Sequence, residues 1–278
     1  MKMIIPSPAK VNLSLWVKGK RDDGYHEIIT VLHTIDLFDF IYIKKSDYLQ
    51  LSIEGSQTIP SGEENLIIKA CKAFSDYTGI KPEVNIKLEK NIPIGGGLGG
   101  GSSNAATMLK TLNKIYNNPL NEEELFEIAS NLGSDVPFFL KGGLAIAYGR
   151  GEKLKFYKPS KFKILLIHPR FSCSTKEVYE KLPEIKNKAK IEDAERLIIS
   201  PLETGNVKKI VDILSNDLEK SESECVKRVL KIKHELESLG IKTLMSGSGS
   251  SLFTVVLNEL DVSPLKKKGW WFKFCHAI

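Results

Sequence analysis

The sequence contains no run of about 18 apolar residues, the length a helix needs to cross a bilayer, so no membrane-spanning helix is expected. Its opening, MKMIIPSPAK, is too short an apolar patch, and too broken by Pro6 and Pro8, to read as a signal peptide. Cysteines are few and scattered: Cys71, Cys173, Cys225 and Cys275 form no Cys-x-x-Cys pair. That spacing excludes a zinc ribbon and predicts separate thiols in a reducing cytoplasm, not a disulfide frame. Charge of one sign is not abundant either. The net charge of +6 over 278 residues suits an anionic small molecule or a mildly basic face. Nucleic-acid binding calls for a dense Lys/Arg stripe with interleaved aromatics. Only the tail KKKGWWFKF hints at one, and it reads as a terminal loop and strand with Trp and Phe packed inward. Neither nucleic acid nor membrane is therefore expected as a partner. No internal repeat or low-complexity segment is present, and the charged stretch 186–195 reads as a solvated helix face.

What the chain has in excess is glycine at one place. In PIGGGLGGGSSNAA (93–106), 6 of the 7 residues from Gly95 to Gly101 are glycine. The run follows an alternating strand pattern, Val84, Ile86, Leu88, and precedes a helical stripe, Ala105, Met108, Leu109, Leu112, Tyr116. Ser102, Ser103 and Asn104 are suitable caps for that helix. The first N–H groups of a helix lack internal partners and carry the positive end of the dipole, and glycine allows close backbone approach. Glycines leading into a helix thus read as a phosphate cradle. A flexible linker would not abut a strand on one side and a capped helix on the other. The Walker pattern is absent, since no lysine precedes Ser102. The dinucleotide fingerprint is rejected too, because the run lies deep in the chain and is followed by two helices in succession.

The remaining elements read as a mixed α and β chain. KVNLSLWVKGK alternates, with Val11, Leu13, Leu15 and Val17 on one face and Lys10, Asn12, Ser14 and Trp16 on the other. IITVLHTIDLFDFIYIKK reads as apolar strands. A helix is expected around Leu66, Ala70 and Phe74, ending at Gly79, and another after Asn121, with Glu124 completing a capping box. ECVKRVLKIKHELESLG reads as an amphipathic helix ending at Gly240, followed by a small-residue loop, SGSGSS, and a strand, LFTVVL. The character changes near Lys158, and a boundary is expected near residue 155. Asp135, in Gly-Ser-Asp-Val-Pro, reads by itself as a helix N-cap. Lys90 reads equally as a charge for an anion or as a solvated strand-end lysine. His33, His168, His234 and His276 have no ligand spacing and are expected in structural or surface roles.

These residues carry a resemblance. PIGGGLGGGSSNAA resembles the ATP loop of the GHMP kinases, which include galactokinase, homoserine kinase, mevalonate kinase and phosphomevalonate kinase. PAKVNLSLWVKGKRDDGYHEI and GSDVPFFLKGGLAIAYGRGE resemble the branch acting on a CDP-linked methylerythritol, and SGSGSS (246–251) is similar to the third signature. The resemblance implies an α+β fold of two domains: an N-terminal mixed α/β domain (1–155) and a C-terminal ferredoxin-like α/β domain (156–278), with the active site in the cleft between. It implies ATP-dependent phosphorylation of the 2-hydroxyl of 4-diphosphocytidyl-2-C-methyl-D-erythritol, in the cytoplasm, with Mg²⁺, by a monomer or weak homodimer. Homoserine or phosphomevalonate is the alternative acceptor, and a non-catalytic nucleotide sensor or RNA-binding module the rival from another class.

By the same resemblance Asp135 is the catalytic aspartate and Lys10 the active-site lysine. Lys90, Pro93, Ile94, Gly95, Gly96, Gly97, Leu98, Gly99, Gly100, Gly101, Ser102 and Ser103 bind ATP. Asn12, Tyr25, His26, Lys141, Thr175 and Tyr179 bind the acceptor, with Tyr25 and His26 on the cytosine. Gly247, Ser248, Gly249 and Ser250 form the C-terminal phosphate loop. Relatives often read GLGSS where this chain reads GLGGGSS, so Gly100 and Gly101 fall where relatives place serines and the metal ligand stays unassigned.

Overall fold

The computed structural model describes residues 2–55, 59–185 and 187–278. They form two compact units that interleave along the chain. The first comprises Met1–Ala9, Leu37–Ile94 and Gly99–Gly142; the second comprises Lys10–Asp36, Gly95–Leu98 and Gly143–Ile278. Two long strands, β1 (Lys2–Lys20) and β2 (His26–Lys45), contribute residues to both. The stretch expected as several strands is one 20-residue strand, because neither glycine nor proline interrupts it.

In the first unit β3 (Gln50–Gly55) runs parallel to β4 (Val84–Lys90), and β4 runs antiparallel to Phe40–Lys45 of β2. The alternation in β4 buries Val84, Ile86 and Leu88, as the period of two predicts. Three helices cover this region: α1 (Leu66–Thr78), α2 (Gly100–Ile115) and α3 (Glu122–Leu132), followed by a short α4 (Val136–Lys141). Asn65 caps α1, accepting from the Ile67 N–H, and Gly79 ends it in the left-handed conformation. The expected capping box of Asn121 and Glu124 opens α3. Tyr116, expected on the buried stripe of α2, is instead its half-buried C-cap. Burial of Phe74 between α1 and its neighbours contributes about 2–3 kcal/mol.

In the second unit β5 (Leu144–Gly149) pairs antiparallel with Ile28–His33 of β2 and with β6 (Lys153–Tyr157). Residue 155, the expected boundary, lies inside β6. There follow β7 (Lys163–His168), α5 (Thr175–Glu180), and α6 (Ile191–Ala194), which continues through a π-helical turn into α7 (Ser200–Glu203). Of the charged stretch expected as a helix face, Lys186 lies outside the described residues. The unit closes with β8 (Ser215–Asn216), α8 (Glu224–Ser238), β9 (Leu244–Met245), β10 (Leu252–Val255), α9 (Ser263–Lys267) and β11 (Trp271–His276). A four-stranded antiparallel sheet runs β11-β7-β10-β9. Val226, Val229 and Leu236 of α8 share one core with Leu165, Ile167 and Leu252, and Trp270, Phe272 and Phe274 of the tail pack inward against it.

The cysteine reading needs correction. Cys173 and Cys225 are joined in a disulfide, with Cα atoms 5.6 Å apart across a sequence separation of 52. The loop before α5 and the first turn of α8 meet in space, which spacing along the chain does not reveal. Cys71 and Cys275 are buried free thiols, both pushed up to about 12 by burial. Among the described residues no helix is long and apolar enough to cross a membrane.

Candidate functional site

The glycine run is anchored by its carbonyls. In the second unit the Gly95 carbonyl accepts from the Cys173 N–H at 3.1 Å and from the Ser250 N–H at 3.3 Å. Gly96 accepts from Ser251 N–H at 3.2 Å, Gly97 from the Ser246 hydroxyl at 3.1 Å, and Leu98 from the Lys10 N–H at 3.0 Å. Four successive carbonyls are thus satisfied by protein donors. Their N–H groups donate to no described residue, so an anion is the partner they suit. The donors come from three places that sequence order keeps apart: β1, the loop ahead of α5, and the small-residue loop 246–251.

That second loop is built for close approach. Ser246 accepts from the Asn12 N–H at 3.3 Å while donating to Gly97. Asn216 donates to the carbonyls of Met245 at 2.8 Å and Gly247 at 2.7 Å, and Ser248 shares a 2.8 Å hydroxyl bond with Thr175. The hydroxyl of Ser250 donates to the Phe171 carbonyl. His168, expected to be structural, is buried behind both loops with Nδ1 at 3.2 Å from the Ser251 hydroxyl. Burial pulls its pKa down to about 4, so it is neutral at pH 7.

Lys10 and Asn12 share one face of β1, and both are buried. This face of the strand therefore does not lie toward solvent. Lys10 donates to Asn12 Oδ1 at 2.6 Å, and Asn12 donates to the Thr30 hydroxyl at 2.9 Å, which in turn bonds the Ser14 carbonyl at 2.6 Å. Asn12 is locked in place with its oxygen turned to an ammonium.

Tyr25 and His26 also belong to the second unit. Tyr25 is exposed, with the Arg150 guanidinium 5.0 Å from its ring centroid. His26 is half-buried, and its ring centroid lies 5.1 Å from that of Tyr179. Burial and the nearby Lys20 charge lower the His26 pKa, so the ring is neutral at pH 7, with one donor and one acceptor nitrogen. The structure thus groups His26 with Tyr179, and Thr175 with Ser248.

In the first unit the helix after the glycines begins earlier than expected. Gly99, in the left-handed conformation at φ 68°, is the N-cap of α2, and no side chain caps the helix. Ser102 and Ser103 lie within the first turn. The first intrahelical bond is Ser103 N–H to the Gly99 carbonyl at 2.8 Å, leaving the preceding N–H groups for an external acceptor. Ser103 turns inward and shares a 2.7 Å bond with the Ser7 hydroxyl, whereas Ser102 is half-buried.

Asp135 occupies the N-cap position of α4, yet its φ of −85° and ψ of −13° are helical and its side chain makes no cap bond. The capping role that the local sequence suggests is therefore not the one this carboxylate performs. Pro137 stands in the first turn, and Lys141, exposed, is the last residue of α4. Lys90 is neither solvated nor isolated: it pairs with Asp39 at 2.8 Å and donates to the Ile92 carbonyl at 2.6 Å. Asp39, Ser246, Cys173 and His168 are the residues that the sequence reading missed. Only Ser246, within SGSGSS, carried a signal.

An ATP triphosphate suits this set of open backbone N–H groups at a helix start that no side chain caps. Among the described residues no group of three or more His, Cys, Asp or Glu could hold a metal ion.

The chain matches the family described as GHMP kinases N terminal domain over residues 65–143. It is 47% identical over 270 residues to the 4-diphosphocytidyl-2-C-methyl-D-erythritol kinase of Persephonella marina, with 96% of each chain covered. It is 42% identical over 271 residues to the protein of the same name from a Sulfurihydrogenibium species, again with 96% of each covered. A crystal structure of a 4-(cytidine 5'-diphospho)-2C-methyl-D-erythritol kinase superposes with a TM-score of 0.76 at 31% identity, covering 99% of this chain and 100% of that one.

Proposed function

The chain belongs to the 4-diphosphocytidyl-2-C-methyl-D-erythritol kinase family of GHMP kinases, and from that premise we propose that it transfers the γ-phosphoryl group of ATP to the 2-hydroxyl of 4-diphosphocytidyl-2-C-methyl-D-erythritol. One observation carries the ATP half of the reading. The carbonyls of residues 95–98 are all engaged by protein donors while their N–H groups donate to no described residue, in a segment that runs straight into a helix start.

Phosphoryl transfer asks a protein mainly for positioning and charge stabilisation. The backbone N–H groups of 95–102 would hold the triphosphate, and magnesium, where it accompanies the nucleotide, would offset the charge of its phosphates. Asp135 would orient the acceptor hydroxyl and take its proton late in the transfer. Lys10 would stabilise charge on the attacking oxygen or the moving phosphoryl group. Asn12 holds Lys10 in place through the 2.6 Å bond. Tyr25, His26 and Tyr179 would recognise the cytosine, stacking on its faces and bonding its edge, as proteins do with unpaired bases. Thr175 and Ser248 would face the diphosphate, and Lys141 adds a cation.

The cytoplasm is the compartment proposed for this activity. Thiols there are ordinarily kept reduced, so intact mass measured under non-reducing conditions, on protein taken from that compartment, tests the Cys173–Cys225 bond against it.

The test of the reaction is a panel of acceptors offered with Mg-ATP and read by mass spectrometry: 4-diphosphocytidyl-2-C-methyl-D-erythritol, homoserine and phosphomevalonate. A single added phosphoryl group on the cytidine substrate alone is the expected result. Transfer to another acceptor removes the base-recognition roles of Tyr25 and His26. No transfer from a folded, ATP-binding chain leaves a nucleotide sensor.

A further inference from the structure

Asp39 lies in β2, far in sequence from the glycine run, and is fully buried. Its carboxylate takes four donors. Oδ1 accepts from the N–H groups of Asn91 at 2.7 Å and Ile92 at 2.8 Å; Oδ2 accepts from Lys90 Nζ at 2.8 Å and Asn104 Nδ2 at 3.0 Å. Both oxygens are fully used. The donors fall into two groups. Lys90, Asn91 and Ile92 form the end of β4 and the turn that delivers the chain to Pro93. Asn104 lies in the second turn of α2. One carboxylate therefore holds the chain on either side of the segment 93–103.

A second layer surrounds this centre. The Asn104 amide also donates to the Ser7 hydroxyl at 3.0 Å, and Ser7 shares its 2.7 Å bond with Ser103. Lys90 closes the turn through the Ile92 carbonyl at 2.6 Å. Gly100 is packed against the same group: a Cβ there would lie 3.0 Å from Ile92 Cγ2 and 3.1 Å from Lys90 Nζ. No fully buried side-chain nitrogen or oxygen of the cluster is without a hydrogen-bond partner, which is the condition under which a buried polar network rigidifies its surroundings.

We propose that Asp39 is a positioning residue for nucleotide binding, clamping both ends of the glycine segment, and that Lys90 serves as the counter-charge of this clamp, not as a phosphate ligand. The inference rests on the ATP-loop reading above. A backbone anion site works only if its N–H groups are held in place before the anion arrives, because each degree of freedom frozen on binding weakens affinity. The clamp supplies that order from behind the loop. Lys90 is needed because a bare buried carboxylate close to a triphosphate site would repel the ligand and would itself be unstable. Burial lowers the Lys90 pKa, while the Asp39 charge opposes the shift and keeps the pair together.

The test measures Mg-ATP affinity by calorimetry, with the KM for the cytidine substrate and the melting temperature, on wild type and three variants. Asn104→Ala cuts the tie between Asp39 and α2 without stranding a charge. It is expected to weaken Mg-ATP about ten-fold, the loss of a hydrogen bond to a charged group, with acceptor KM within about two-fold of wild type. Asp39→Asn strands the Lys90 ammonium and is expected to weaken Mg-ATP further. The charge-free pair, Asp39→Asn with Lys90→Gln, removes both charges together, with the Asn104 amide free to turn its oxygen toward the new amide nitrogen, and is expected to recover ATP affinity to within about three-fold of wild type. A purely structural role would lower the melting temperature and leave ATP affinity and acceptor KM moving together. Wild-type ATP affinity in Asn104→Ala overturns the clamp, and that variant carries the test if Asp39→Asn does not fold. Failure of the charge-free pair to recover ATP binding makes the ammonium a direct phosphate ligand and overturns the assignment of Lys90. A wild-type chain that binds no Mg-ATP overturns the functional reading itself, and this inference with it.

Discussion

Ser246 donates its hydroxyl to the Gly97 carbonyl at 3.1 Å, and a Cβ built on Gly97 would lie 1.9 Å from the Ser246 carbonyl oxygen. The two small-residue loops are in direct backbone contact, and the contact leaves no space for a methyl group. Glycine at 97 is also required by its φ of +72°. Gly97→Ala is therefore expected to displace both loops. Mg-ATP affinity should fall at least ten-fold, about 1.4 kcal/mol or more, with a lowered melting temperature. Calorimetry on the folded variant checks this, and unchanged affinity would detach Gly97 from the nucleotide site.

Asp135 stands at the start of α4 without capping it. If it takes the acceptor's proton, Asp135→Asn should reduce kcat by about 10²–10⁴-fold, the usual size of a general-base contribution, and leave Mg-ATP binding close to wild type. Rapid-quench single turnover paired with ATP titration makes the measurement. Lys10→Ala in the same assay should slow the chemical step too. An unchanged single-turnover rate in either variant removes that residue from the transfer.

His26 lies against Tyr179, its ring neutral at pH 7. His26→Ala should raise KM for the cytidine substrate about ten-fold while kcat changes little, since a base contact remote from the reacting hydroxyl acts mainly on binding. A variant whose kcat falls and whose KM stays fixed would place His26 near the chemistry instead.

Two buried histidines give the fold a pH dependence. His33, whose Nδ1 lies 2.9 Å from the Thr34 carbonyl and whose Nε2 accepts from the Ser160 N–H at 3.2 Å, is pulled down to about 4 by burial, as is His168. In the unfolded chain a histidine titrates near 6.5. Between these values the unfolded chain binds more protons than the folded one. The stability that these rings contribute is therefore complete above about pH 6.5 and is lost as the pH falls toward 4, at about 1.4 kcal/mol per pH unit for each ring. Urea unfolding at pH 7.5 and at pH 5 should show the difference, and His33→Gln should shrink it. A flat profile would mean that neither ring is held neutral.

The glycine segment was legible because its chemistry is local. Glycines between a strand and a helix state their purpose in order along the chain, and the capping box at Asn121 and the C-terminal Gly79 are equally local signals. Long-range partners were not legible. Asp39 looks like one acidic residue in an apolar strand until β2 pairs with β4 and brings it under Asn91 and Ile92. Lys90 was read as solvated or as a ligand, and only the fold shows the carboxylate that holds it. Cys173 and Cys225 looked unrelated because no spacing rule reports a loop meeting a helix 52 residues away. The serines after the glycines were expected as caps. The helix starts earlier because a left-handed Gly99 can begin it without a side chain. Asp135 shows the reverse case: the local sequence signals a cap, and the geometry does not use one.

The measurement that tests the account most directly is a crystal structure of the chain with a non-hydrolysable Mg-ATP analogue and 4-diphosphocytidyl-2-C-methyl-D-erythritol. The account predicts phosphate oxygens within hydrogen-bond distance of the backbone N–H groups of residues 95–102, cytosine beside Tyr25 and His26, and the 2-hydroxyl pointing at Asp135. A triphosphate bound elsewhere, out of reach of those N–H groups, would contradict it.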